Sequence, residues 1–227
     1  MSLRIAVIGC GMIGREHIER IQNRIKNASV VAVCDVSEAG AKRGAEIAGA
    51  DTKVYTDYHA GINDPDVNAV VVTTPGAFHK APVIAAIQAG KPVFSEKPLA
   101  NTAADCKAVV DAEMASGRHL VQVGFMRRYD RGYKQVKDLI DSGKFGAPMV
   151  IKCTHRADGV APDYTTAMAV TDTAIHEIDV LPWLVGDQWD EVQCIMPKSS
   201  SKAHEGLKDP QIMIMKTKTG IVNVLEV

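Results

Sequence analysis

The sequence predicts an α/β fold: a doubly wound parallel sheet over residues 1–123, followed over residues 124–227 by an α+β domain. Three observations carry that prediction. Up to Gly124, short continuous runs of β-branched and apolar residues alternate with longer amphipathic segments, as in strands covered by helices on both faces. A glycine-rich turn, "VIGCGMIG", joins the first strand to the first helix. Beyond Gly124 the alternation stops, and helices and strands come in longer, unequal pieces.

In the first part, "LRIAVIG" reads as a strand, Met12 to Lys26 as a helix, "VVAVCD" as a strand and Glu38 to Gly49 as a helix. Strands follow at "TKVY", "NAVVVTT", "KPVFS" and "HLVQVG", with helices near Asp57 to Asn63, Ala77 to Ala89 and Thr102 to Ser116. In the second part a helix is expected from Tyr129 to Ser142, a long strand around "PMVIKCTHRA", and a helix containing "TDTAIHEIDV". The run "DEVQCIMP" reads as a strand, and "QIMIMKTKTGIVNVLEV" as a hairpin turning at Lys218-Thr219-Gly220. The polar stretch "KSSSKAHEG" reads as a mobile loop.

Composition narrows the chemistry. The chain is long enough to bury a core without metal or disulfide staples. Its 26 basic and 27 acidic residues give no field that would draw nucleic acid or a membrane surface. The apolar runs are strand-length, and no leader-like segment precedes the first strand. Five cysteines, odd in number and never arranged as CxxC, signal neither a disulfide framework nor a zinc site and fit a reducing cytoplasm. Small-molecule chemistry is the expectation.

Gly9, Gly11 and Gly14 have GxGxxG spacing directly after a strand, in the turn where Met12 and Ile13 open a helix. The first glycine allows the tight turn, the second lets backbone approach a pyrophosphate, and the third permits close helix-to-strand packing. Asp35, at the end of the second strand, stands where a carboxylate accepts the adenosine ribose hydroxyls. Together these residues mark a Rossmann dinucleotide site. A carboxylate there repels a 2'-phosphate, so NAD is expected rather than NADP. The competing reading is a plain strand-to-helix turn with Asp35 as a cap.

In an open parallel sheet, ligands lie beyond the carboxyl ends of the strands. "TTPGAFH" follows the fourth strand, and its Thr73, Thr74, Pro75 and His79 are cofactor-channel candidates; His79 is equally readable as a solvated loop residue. "SEKPLA" follows the fifth strand and supplies Glu96, Lys97 and the stiff Pro98, whose peptide isomer is open. A lysine in that crevice can polarise an oxygen or relay a proton. Taken alone, it is more often a solvated charge. Arg127, in "GFMRRYD", could hydrogen-bond a polyhydroxy or carboxylate ligand, or could simply be a surface charge.

"TDTAIHEIDV" carries Asp172, His176, Glu177 and Asp179. On a helix Asp172, His176 and Asp179 share a face while Glu177 points elsewhere, to solvent. Histidine is the side chain best suited to base catalysis near neutral pH. A metal hydrolase using Asp172, His176 and Asp179, with His155, is the competing reading; it would leave the glycine turn without purpose, and no metal is expected.

Taken together, the glycine turn, "TTPGAFH", "SEKPLA" and "TDTAIHEIDVLPWL", in this order and spacing, resemble the Gfo/Idh/MocA oxidoreductases, and "GFMRRYDRGY" and "IKCTHRA" are similar to the inositol-dehydrogenase branch of that family. The resemblance implies NAD-dependent oxidation of a ring secondary alcohol to a ketone, myo-inositol to scyllo-inosose. A pyranose dehydrogenase or a non-catalytic dinucleotide binder are the alternatives. It implies His176 as general base, Asp172 as the carboxylate that orients it, Lys97 as hydrogen-bond donor to the reacting oxygen, and Arg127 and His155 as substrate-lining residues. Glu96 and Lys97 then join the cofactor set. The resemblance also implies a large open, mostly antiparallel sheet in the second domain and a homo-oligomer, dimer or tetramer, built through that sheet, and family members continue well past Val227.

Overall fold

The structure, a computed structural model, describes residues 2–227 and divides into two compact units, Met1–Gly124 and Phe125–Val227. In the first unit, six strands form one sheet: β1 (Leu3–Ile8), β2 (Ala28–Cys34), β3 (Lys53–Tyr55), β4 (Ala69–Val72), β5 (Val93–Ser95) and β6 (Val121–Val123). All pairs are parallel and the order is β3-β2-β1-β4-β5-β6, the arrangement of a Rossmann sheet, with its reversal point between β1 and β4. Ala6, Val7, Ile8, Val70, Val71 and Val72 are buried, so both faces of the central strands are covered.

The helices are α1 (Met12–Arg24), α2 (Glu38–Ala48), α3 (Tyr58–Asn63), α4 (Lys80–Gln88) and α5 (Ala103–Ala115). Side-chain caps start three of them: Ser37 accepts from Gly40 N, Asp57 from His59 N and Thr102 from Asp105 N. Helix α1 has no side-chain cap; Gly11 precedes it, leaving the first-turn N–H groups for another acceptor. The segment expected to begin a helix at Ala77 is instead a 3₁₀ turn, Gly76–Phe78, before α4. Pro82 sits in the first turn of α4, where its missing N–H costs nothing.

The second unit pairs α6 (Arg131–Asp141) and α7 (Ile175–Val185) with a four-stranded mixed sheet ordered β7-β10-β9-β8, from β7 (Val150–Thr154), β8 (Trp189–Ile195), β9 (Ile212–Thr217) and β10 (Val222–Glu226). Its β8/β9 and β9/β10 pairs are antiparallel, while β10 runs parallel to β7. The hairpin turn at Lys218-Thr219-Gly220 is held by Asp187, whose carboxylate accepts Thr219 N at 3.0 Å and Thr219 Oγ1 at 2.6 Å. Met213, Met215 and Leu225 on one sheet face pack with Val180, Leu181 and Leu184 of α7. The strand expected over "PMVIKCTHRA" is shorter, because pairing with β10 ends at Thr154. The stretch read as a mobile loop is anchored: His204 Nε2 lies 2.8 Å from Tyr164 O, Thr166 Oγ1 donates to Gly206 O at 3.0 Å, and Leu207 is buried with Tyr164 and Ala169.

Ahead of α7, Ala169–Ala174 is a π-helical segment rather than α-helix. Wider turns of this kind are rare and concentrate at functional sites. Pro182 inside α7 cannot donate to the Ile178 carbonyl, and α7 ends at Gly186 in the left-handed conformation, φ +68°. Among the described residues no helix is long and apolar enough to cross a membrane.

Candidate active site

In the first unit the glycine turn is built as its spacing requires. Gly9 has φ +100°, and a Cβ there would lie 2.6 Å from Thr74 N. A Cβ on Gly14 would run into the Gly9 carbonyl oxygen and sit 2.8 Å from Thr73 Oγ1, which itself donates to Gly9 O at 2.6 Å. Gly11 is different: nothing lies within 4 Å of its Cβ position. Two glycines therefore serve packing and the third keeps space open beside the orphan N–H groups of α1, where Met12 and Ile13 are exposed.

Asp35 directly follows β2 with both carboxylate oxygens engaged by backbone: Oδ2 accepts Cys10 N at 2.8 Å and Oδ1 accepts Ser37 N at 2.9 Å. Each oxygen keeps another lone pair, so the carboxylate is oriented and still able to accept hydroxyl protons. Burial pushes the Cys10 thiol up to about 12 and the Cys34 thiol up to about 11, with Asp35 adding to both, which disfavours the nucleophilic thiolate. Thr74 Oγ1 is buried without a partner, an acceptor or donor that a bound nucleotide could satisfy. An open cradle at Gly11, an oriented Asp35 and the Thr74 hydroxyl fit a dinucleotide.

The structure overturns the solvated reading of His79. The residue is 1% exposed, with Nδ1 2.6 Å from Pro98 O and Nε2 2.6 Å from Thr74 O. Its ring is spent on tying together the two loops that follow β4 and β5, so it shapes the cofactor channel through Thr74 and Pro98. Glu96 is half-buried, with Oε1 2.8 Å from His17 Nε2 and Oε2 accepting Lys97 N at 3.2 Å. Burial pushes its carboxyl up, but the hydrogen bond and charge of His17, with the Lys97 N–H and charge, hold it below the usual range. His17, which no sequence motif marks, thus fastens α1 to the turn carrying Lys97. Lys97 is half-buried and its bond to Pro98 is cis.

In the second unit, Asp172 is exposed in the π-helical segment, and His176, Glu177 and Asp179 follow on α7. The expectation that Glu177 faces solvent is wrong. It is 4% exposed and is the hub of a polar cluster: it forms an ion pair with Arg127 of the turn Met126–Tyr129, and its Oε2 lies 3.2 Å from Nδ1 of His155, the residue after β7. Arg127 Nη2 is 3.3 Å from the same His155 nitrogen. The His155 and His176 ring centroids are 6.2 Å apart, so the cluster adjoins the proposed base.

Asp179 is held in an ion pair. Arg128 grips it with two hydrogen bonds, Nε to Oδ2 at 2.8 Å and Nη2 to Oδ1 at 2.5 Å, a bidentate pair that pushes the guanidinium further up. This removes Asp179 from the metal-ligand set of the hydrolase reading. Among the described residues no group of three His, Cys, Asp or Glu side chains is placed to hold a metal ion.

The family model described as "Oxidoreductase family, NAD-binding Rossmann fold" of the GFO/IDH/MocA group matches residues 3–125, and the GFO/IDH/MocA C-terminal domain model matches residues 133–227. An inositol 2-dehydrogenase of Klebsiella pneumoniae subsp. pneumoniae is 50% identical over all 227 residues, which cover 67% of that protein. One from Pseudomonas fluorescens is 52% identical over 97% of this chain and 66% of its own length. Among solved structures, the myo-inositol dehydrogenase of Lactobacillus casei in complex with NAD(H) and myo-inositol is 41% identical with a TM-score of 0.96, over 100% of this chain and 67% of that one. The chain spans about two thirds of the length of these relatives.

Proposed function

The chain belongs to the Gfo/Idh/MocA oxidoreductase family, with an NAD-binding Rossmann domain, and we propose that it oxidises a ring secondary alcohol of a cyclic polyol to the ketone, myo-inositol to scyllo-inosose. The observation that carries the dehydrogenase reading is the glycine turn with Asp35 oriented 2.8 Å from Cys10 N. The polyol reading is supported by relatives of that name at half identity over this whole chain.

His176 takes the hydroxyl proton on its imidazole, Asp172 orients and stabilises the imidazolium that forms, and Lys97 donates a hydrogen bond from Nζ to the reacting oxygen as it becomes a carbonyl. Glu96 and His79 hold the backbone on either side of Lys97, at Lys97 N and Pro98 O, which limits the positions its ammonium can reach. The Gly11 cradle and Asp35 would hold NAD, which when bound would serve as the hydride acceptor. Arg127 and His155 contact the other hydroxyls of the ring.

A cytoplasmic homo-oligomer is proposed with it. Free thiols at all five cysteines support a reducing compartment, and Ile212, Ile214, Val222 and Val224 line the sheet face opposite α7. The function is tested by following NADH absorbance with NAD and a panel of inositols and hexoses. Oxidation of myo-inositol in preference to the hexoses is expected. NAD binding without NADH from any of them would leave a non-catalytic binder.

A further inference from the structure

We infer that Glu177 sets the charge preference of the substrate pocket: by neutralising Arg127 it reserves the pocket for uncharged polyols and turns away carboxylated ones. The inference rests on the proposed reading of Arg127 and His155 as substrate-facing residues and extends it to the class of substrate that the pocket accepts.

Arg127 brings a guanidinium into the cluster beside His176. A guanidinium on its own, with a planar fork of donors, is the side chain best matched to a carboxylate. Here that capacity is already used. Nη1 is paired with Glu177, Nη2 faces His155, and the guanidinium lies 5.7 Å above the Tyr133 ring. The Arg127 side chain is 17% exposed and that of Glu177 only 5%, so solvent and salt screen the pair little. A neutral hydroxyl needs one remaining N–H of Arg127 or one ring nitrogen of His155, and no net charge. A carboxylate would bring a second negative charge beside Glu177, against a cation whose charge is already balanced.

The mechanism requires Glu177 for none of this chemistry, since the base and its orienting carboxylate are His176 and Asp172. A buried glutamate directly after the base, costly to desolvate, therefore needs another reason to be there. Holding a positive charge at zero net field beside a ring of hydroxyl groups is that reason. It also keeps the Arg127 fork oriented for neutral partners.

The test measures ligand affinity rather than turnover, on the protein saturated with NADH so that no reaction occurs. Calorimetry compares myo-inositol, D-glucose, D-glucuronate as the anionic probe and D-glucosamine as the cationic probe. In the wild-type protein glucose is expected to bind better than either charged sugar. Glu177→Gln, which keeps shape and an acceptor oxygen but removes the charge, raises the glucuronate-to-glucose affinity ratio about ten-fold or more. Arg127→Gln does the converse, raising the glucosamine-to-glucose ratio by a similar factor, and so reads the same balance if the first variant fails to fold. The double variant returns both ratios towards wild type. Unchanged ratios in a folded single variant overturn the charge inference while leaving the polyol reading intact. Wild-type protein that binds NADH but no neutral polyol overturns both.

Discussion

The indole Nε1–H of Trp189 donates to the Ile178 carbonyl at 2.9 Å, and that carbonyl is the one Pro182 leaves without a helical partner four residues on. A proline in mid-helix would ordinarily cost both the hydrogen bond and the buried acceptor. Here the first strand after the helix carries the substitute donor. The helix that bears His176 stays continuous as a result.

Removing the indole N–H should expose that cost. Trp189→Phe is expected to destabilise the protein by about 1–3 kcal/mol, the penalty of an unsatisfied buried acceptor together with lost packing. Adding Pro182→Ala, which restores a backbone N–H, should recover a large part of it. Denaturant unfolding of the single and double variants checks this, and equal destabilisation in both would contradict it.

Gly11 and Gly14 should separate binding from folding. Gly14→Ala forces a methyl onto the Gly9 carbonyl and Thr73, so stability is expected to fall by about 1–3 kcal/mol, with NAD affinity falling as well. Gly11→Ala meets open space in the protein, so its unfolding midpoint should hardly move while NAD affinity drops ten-fold or more. Thermal unfolding with and without NAD distinguishes the two.

Asp35→Asn keeps an acceptor for one backbone N–H and removes the charge. The expected outcome is a rise of about 10- to 100-fold in the Michaelis constant for NAD, the scale of one hydrogen bond to a charged group, with a smaller loss for NADP. A variant that keeps full discrimination for NAD over NADP would place the discriminating group elsewhere.

Acid should find a weak point at Asp64. Burial pushes this carboxyl up, but Lys53 Nζ at 2.8 Å, Tyr55 Oη at 2.5 Å and Asp66 N at 2.8 Å outweigh it and bring it from 3.8 to about 2. A carboxylate whose folded value is depressed contributes stability that is fully present above the unfolded value and lost as pH falls through the folded one. The contribution therefore disappears between about pH 4 and pH 2. Asp64→Asn should flatten unfolding free energy over that interval and leave a less stable protein at neutral pH.

The parts of the fold and site that the sequence revealed are those whose determinants are local. Gly9, Gly11, Gly14 and Asp35 are dictated by the turn they make, and the β-branched runs of β1 and β4 announce a buried parallel sheet wherever their partners lie. Glu177 was illegible because its burial depends on Arg127, fifty positions away, and His155, twenty-two away. Helical spacing rightly separated its direction from that of His176 but could not say what filled that direction. The same holds for His79, whose partners are two backbone carbonyls rather than side chains. The π-helical turn at Asp172 has no period-based signature, since spacing arguments assume a regular α-helix.

The central proposal is hydride transfer from a polyol carbon to NAD with His176 as base. The most direct measurement gives the protein NAD and myo-inositol carrying deuterium on its C2 carbon, then weighs the nicotinamide product by mass spectrometry. The expected product is NADH one mass unit heavier, with its formation lowered about 100- to 10,000-fold in His176→Ala and in Lys97→Ala while both variants still bind NAD. Unlabelled NADH, or labelled NADH formed at the wild-type rate by His176→Ala, would contradict it.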